Sequence, residues 1–110
     1  MRAATRCGAS AMVALLVASA HAQGADPRLR EVVYDPGAVV TVPVKRGVVT
    51  HIVLDADESL TDVASGFGGD CSKPESSWCI AAQAGGRNIF VKPKSTAIEP
   101  NNLAVVTDRR

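Results

Sequence analysis

Apolar and polar residues alternate along most of this chain in short runs, which turn residues separate from one another. Within residues 48–54, four apolar or β-branched side chains share one face of an extended chain and three share the other. Turn signals recur about every 8–12 residues, and no stretch has apolar residues at helical spacing over three turns. The pattern predicts an all-β fold, a small antiparallel β-sandwich with short strands and at most a helical turn. The predicted strands span residues 29–34, 38–44, 48–54, 78–82, 88–92 and 103–107, and residues 60–64 are expected to form a weaker strand or a single helical turn.

Two of these runs are predicted to pair as a hairpin. Residues 38–44 and 48–54 are rich in β-branched side chains, and the Lys-Arg-Gly at 45–47 forms a turn between them. Pro43 cannot donate to a strand ladder, so residues 38–44 are expected to form an edge strand or to carry a bulge. Residues 48–54 are apolar on both faces, which favours a central strand.

The beginning of the chain has the pattern of a cleavable export signal. Arg2 and Arg6 form a basic region, residues 9–20 are apolar or small, and an Ala-His-Ala ends at Ala22. The apolar run is too short to cross a bilayer core, which takes about 20 helical residues. We therefore expect cleavage between Ala22 and Gln23 and a periplasmic mature protein. The predicted organisation is a signal peptide at residues 1–22, a flexible leader at 23–28 and a β-sandwich domain at 29–110.

Removal of the signal leaves a domain with almost no net charge. The chain has 12 Lys and Arg and 11 Asp and Glu, and the signal takes two of the arginines with it. No basic face remains that could neutralise several phosphates, so direct binding of nucleic acid is not expected.

Two cysteines, Cys71 and Cys79, remain after cleavage. In an oxidising compartment they are expected to form a disulfide, which stabilises the fold by roughly 2–3 kcal/mol on the chain-entropy view. Free thiols or a metal site are the alternatives, although Cys-x7-Cys is not a zinc spacing.

Candidate catalytic and metal-binding residues are few. His51 is the one histidine after cleavage, and its neighbours in sequence supply neither a nucleophile nor an orienting group. The acidic stretch at residues 55–58 lacks the ligand spacing and central glycine of a calcium loop. The glycine-rich stretch at 66–69 lacks the Lys-Ser/Thr of a phosphate-binding loop. We expect no enzyme activity, no metal and no cofactor.

A contact surface is the more promising kind of site. Phe67 lies in the glycine-rich stretch, where it is expected to be exposed. Trp78 either supports the core next to the disulfide or anchors an interface. Val40 and Val42 lie on the predicted edge strand, and unpaired edges template pairing with other chains.

Several stretches, in order along the chain, resemble the amino-terminal domain of the TrbG/CagX family. Such members are periplasmic subunits of type IV secretion and conjugation machines, so the resemblance implies a non-catalytic β-sandwich in a ring-shaped outer-membrane core complex. It further implies a larger periplasm-spanning ring subunit as partner, an outer-membrane lipoprotein bound through a second domain, and ring self-association of the full-length protein. The matching stretches are DPRLR at 26–30, VYDP at 33–36, VVTHI at 48–52, DE at 57–58, NIFVKP at 88–93 and NLAVVTDR at 102–109.

The sequence also departs from that family. The stretch between Cys71 and Cys79 resembles a local insertion, and the chain stops at Arg110, where family members run on into a second β domain. A periplasmic binding module for a sugar or peptide is the alternative function. With four aromatic residues in the mature chain, stacking on a sugar has little support in the sequence. A small hydrolase would need a nucleophile and base that are not apparent.

Overall fold

The computed structural model describes residues 26–110, which contain five antiparallel strands and no helix. The prediction of a small all-β domain is confirmed. The signal peptide and residues 23–25 of the leader lie outside the described residues. No helix in the described part of the chain could cross a membrane. The strands are β1 (Thr50–Val53), β2 (Leu60–Ser65), β3 (Trp78–Ala82), β4 (Asn88–Pro93) and β5 (Leu103–Thr107).

The chain divides into two compact units, one up to Val39 and one from Val40 onward. The described part of the first unit contains turns and no strand, so the strand predicted at residues 29–34 is wrong. The Arg28 guanidinium donates to both carboxylate oxygens of Asp26 and lowers the pKa of that carboxyl. The apolar side chains in this stretch remain exposed, so no buried face favours a strand there.

The larger sheet of the second unit has the order β1-β4-β3, with β4 in the middle. Ile89 and Val91 of β4 point to the core and are buried, while Phe90 between them is exposed. The register places Ile52 opposite Ile89, and Ile80 opposite Val91, so all three strands direct aliphatic side chains inward.

The second sheet is the pair β2-β5. Val63 lies opposite Val105 and Ser65 opposite Leu103, and the register shifts by a bulge between Leu60 and Asp62.

Both sheets contribute to one hydrophobic core. Its buried members come from β2, β3, β4 and the loop after β4, and half-buried aliphatic residues of β1, β2, β3 and β5, together with Leu54, surround them. Ile89, on the middle strand, is fully buried. The buried members are Leu60, Trp78, Ile89, Val91 and Ala97.

The predicted hairpin around the turn at 45–47 is not formed, and the turn geometry explains why. The Val48 N–H donates to the Lys45 carbonyl at 3.0 Å, so Arg46 and Gly47 are the central residues of the turn. Gly47 has a φ of 76°, whereas Arg46 has no positive φ. The two-residue turns that close hairpins require a positive φ at the first central residue. This turn therefore directs the preceding segment away from β1.

As a consequence, the strand predicted at residues 38–44 is wrong, and the strand expected to be central, β1, lies at the sheet edge. β1 pairs with β4 alone, and its outward side chains, His51 and Val53, are exposed.

Candidate interaction surface

An open groove of about 360 Å³ lies between β2 and β3, where the two sheets approach each other edge to edge. At one end, Leu60 of β2 donates its N–H to the Gly86 carbonyl at 2.8 Å and accepts from the Gly85 N–H at 2.7 Å. At the other end, the Ile80 N–H of β3 donates to the Gly69 carbonyl at 2.8 Å. Between these ends β2 and β3 exchange no ladder hydrogen bonds, and we call the space the edge groove.

The floor of the edge groove is formed by small and aliphatic side chains, and its rim is polar. Val63 and Ile80 lie on the core side, with Ala82 and Ala84 beside them, and no aromatic ring lines the groove. At the rim the hydroxyl and N–H of Ser72 hydrogen-bond Asp70, which lowers the pKa of the Asp70 carboxyl. This lining suits aliphatic side chains better than a sugar ring, which needs stacking partners.

A disulfide holds the loop that closes one end of the edge groove. Cys71 in the loop and Cys79 on β3 are bonded, with Cα atoms 4.5 Å apart, as the sequence predicts. Gly69 passes so close to β3 that a Cβ atom there would lie 2.9 Å from the Ile80 side chain. The bond and this close approach together fix the loop against β3.

Two asparagines hold the start of the same loop, and sequence reasoning missed both. The Asn102 and Asn101 side-chain oxygens accept from the N–H groups of Gly66 and Phe67, each at 3.0 Å. Asn101 also donates to the Ser65 hydroxyl at 2.7 Å. Phe67 is 55% exposed at the tip, so it is available for contact.

The other predicted contact residues are placed differently from one another. Trp78 is 6% exposed and belongs to the core, which favours its packing role over an interface role. Val40 and Val42 are 50% and 40% exposed. They belong to residues 40–44, here called the valine segment, whose backbone makes no hydrogen bond with any other described residue.

The outward face of the larger sheet carries His51. Its ring stacks on Phe90 with centroids 4.6 Å apart, and its Nε2 lies 2.8 Å from the Asn88 side-chain oxygen. These two contacts occupy the ring face and one nitrogen, and neither brings a nucleophile to the imidazole.

The acidic stretch at residues 55–58 does not converge on one point. Asp57 pairs with Arg109, whereas buried Glu58 accepts from the Thr107 hydroxyl at 2.6 Å. The Asp55 carboxylate accepts from the Ala56 N–H. Residues 26–110 contain no cluster of three or more His, Cys, Asp or Glu side chains that could hold a metal ion.

Comparison with known proteins gives a consistent result. The sequence profile of the CagX family, described as conjugal transfer protein, matches residues 27–110. The type IV secretion system protein PtlF of Bordetella pertussis is 36% identical over 97 aligned residues, which cover 77% of this chain and 32% of that protein. The PtlF homologs of Bordetella parapertussis and Bordetella bronchiseptica match equally well. This chain thus spans about a third of their length, and no solved structure matches it.

Proposed function

The chain belongs to the CagX family of conjugal transfer proteins, and from that membership we propose that it is a structural subunit of a type IV secretion channel. Its place in this proposal is the ring that forms the periplasmic and outer-membrane core. The observation that carries the proposal is the family match over residues 27–110, which covers both units of the described chain. Relatives that are themselves type IV secretion system proteins support the same assignment.

The surface of the domain suits an assembly role. The valine segment is exposed and lacks backbone partners among the described residues, and the edge groove leaves strand edges unpaired. Unpaired edges are the features through which β domains add strands from other chains. His51 is engaged by Phe90 and Asn88, which supports a structural rather than a catalytic role.

The partners in this proposal are other subunits of the same machine. A larger periplasm-spanning ring subunit contacts this domain, and further copies of the full-length protein surround it. An outer-membrane lipoprotein is reached through the second β domain of the longer family members. In this proposal the protein is exported by a signal peptide at residues 1–22, and the part that follows at 29–110 contains the β-sandwich.

Purification from the native cell tests the proposal. An affinity tag is placed at the carboxyl end of the protein that the chromosomal gene encodes, and detergent extracts of the envelope are captured on the tag. A large particle with many copies of the tagged protein and a larger second subunit is expected. The tagged polypeptide is expected to begin at Gln23 by intact mass.

A deletion strain tests whether the gene is needed for transfer or secretion. Loss of the gene is expected to abolish transfer or secretion, and the wild-type gene in trans is expected to restore it. Recovery of the tagged protein as a monomer in the soluble fraction, together with normal transfer in the deletion strain, would contradict the proposal.

A further inference from the structure

We infer that the valine segment of one copy inserts into the edge groove of a second copy and adds a strand to β2. This inference deepens the proposed function, since a head-to-tail contact between copies is the kind that closes rings. The valine segment is the donor strand in this contact, and the edge groove of the second copy is the acceptor.

The donor is built to pair along one edge only. In an extended chain, alternate residues direct their N–H and C=O groups to opposite edges, so Val40, Val42 and Val44 share one edge. Their side chains also share one face. Pro43 lies on the other edge and has no N–H, so that edge cannot continue a ladder. Such a strand can be added to a sheet without offering a good edge to the next chain.

The acceptor edge is β2. The Gly66 N–H, which donates to the Asn102 side chain, is shared with the backbone carbonyl of Asn102 at 3.3 Å. This second bond extends the β2-β5 ladder by one pair. By the alternation of the ladder, Val63 and Ser65 direct their backbone groups away from β5 and towards the edge groove. The Ser65 carbonyl accepts from the Gly68 N–H at 3.2 Å, a bond of the turn after β2 that an added strand would replace. The Val63 N–H is occupied by the side chain of its neighbour, Asp62, at 2.8 Å. A side chain rather than a strand satisfies this amide, so the edge is ready to exchange partners.

Donor and acceptor also agree on which face is apolar. Residues directly opposite each other in an antiparallel pair have side chains on the same face. Val63 and Ser65 face the core side, so valines placed opposite them would also point inward, towards Ile80 and Ala82. Thr41 and Pro43 would then face solvent. The hydrogen-bonding edge and the apolar face of the donor are therefore satisfied together.

The segment cannot place all three of its valines in the groove of its own chain while its base is held. Arg46 donates to the Ala97 carbonyl at 2.6 Å, and the Gly47 N–H donates to the Pro93 carbonyl at 2.7 Å. Pro93 ends the middle strand, and its carbonyl faces the β1 side of the sheet. Strands β4 and β3 therefore lie between this carbonyl and the edge groove, and two strand spacings amount to about 9.5 Å. From Arg46 to Val44 the chain extends at most about 7 Å. Val44 is therefore kept out of the groove of its own chain, and a second copy, whose segment is not held in this way, is the occupant for pairing along the full segment.

A peptide of residues 38–45, added to the isotope-labelled chain, tests the contact by amide chemical shifts. Saturable shifts are expected at Val63, Ser65 and Ala82. The peptide variant Val42→Pro removes an N–H on the pairing edge and is expected to bind about tenfold more weakly or not at all. The peptide variant Thr41→Pro removes an N–H on the opposite edge, which Pro43 already interrupts, and it is expected to bind as the unchanged peptide does.

Three results would overturn the inference: no shifts at millimolar peptide, shifts centred on β1 or on the His51 face, or equal binding of the two proline variants. The same two substitutions in the whole chain should separate in the same way in concentration-dependent self-association. A core particle in cells without peptide binding would refute this contact alone. Peptide binding without such a particle would refute the proposed function alone.

Discussion

The Thr107 hydroxyl donates to the Glu58 carboxylate at 2.6 Å, although 49 residues separate them in sequence. The Glu58 side chain is buried, and the Arg110 Nε lies 3.7 Å from the same carboxylate oxygen. The contact ties the segment before β2 to the end of β5, and so secures one end of the smaller sheet, where Leu60 lies opposite Thr107.

Replacing Thr107 with Val is expected to lower the free energy of unfolding by about 1–3 kcal/mol, because it leaves a buried carboxylate without its hydroxyl partner. Urea denaturation followed by circular dichroism measures the change. Glu99→Gln alters an exposed carboxylate and is the matched control, with an expected effect within about 0.5 kcal/mol. Equal stability of the two variants would show that the buried contact contributes nothing.

Gly69→Ala is expected to destabilise the domain by about 1–3 kcal/mol, since the added methyl would lie 2.9 Å from Ile80 and force the loop off β3. Gly37→Ala serves as the control, because the nearest atom to its Cβ would be 3.5 Å away. Denaturation midpoints compare the two. A Gly69→Ala midpoint as high as that of the control would mean that the loop adjusts freely.

Loss of the disulfide is expected to lower stability by about 2–3 kcal/mol, the chain-entropy value for so short a loop. The double variant Cys71→Ser/Cys79→Ser is compared with the parent chain by urea denaturation. Thiol counting on the denatured, unreduced mature protein is expected to find none. Two reactive thiols would refute the bond itself.

The purified chain is expected to be a monomer at micromolar concentration. The inferred contact involves one five-residue strand, whereas stable interfaces bury about 1,200–2,000 Å² in total. With 12 basic and 11 acidic residues, the chain also provides little long-range attraction between copies. Sedimentation equilibrium gives the mass. A discrete high-order ring from this chain alone would contradict the expectation and would indicate a much larger interface.

The local alternation of apolar and polar residues was sufficient to locate most of the strands. Residues 78–82 and 103–107 were predicted with the bounds that β3 and β5 have, and β4 is one residue longer than predicted. Their apolar alternation is matched by a sheet in which every inward residue finds the core. The prediction failed for residues 38–44, whose β-branched composition is as strong, because a strand also requires a partner edge at the right place.

The edge groove could not have been predicted from the sequence. It arises where β2 and β3, which belong to different sheets, approach each other, and sequence spacing gives no measure of that distance. Asn101 and Asn102 were missed because asparagines in a loop are typical of any turn. The disulfide, by contrast, was predictable, since two cysteines permit a single pairing.

The strand order β1-β4-β3 has a consequence for how the chain folds. β3 and β4 are neighbours in sequence and can form a hairpin early, whereas β1 must wait for a strand that begins 35 residues after β1 ends, at Asn88. The β2-β5 pair is also remote in sequence. Such non-local pairing gives folding times on the order of milliseconds to seconds, and the newly made chain would expose its strand edges during that interval. Stopped-flow refolding within microseconds would contradict this order of events.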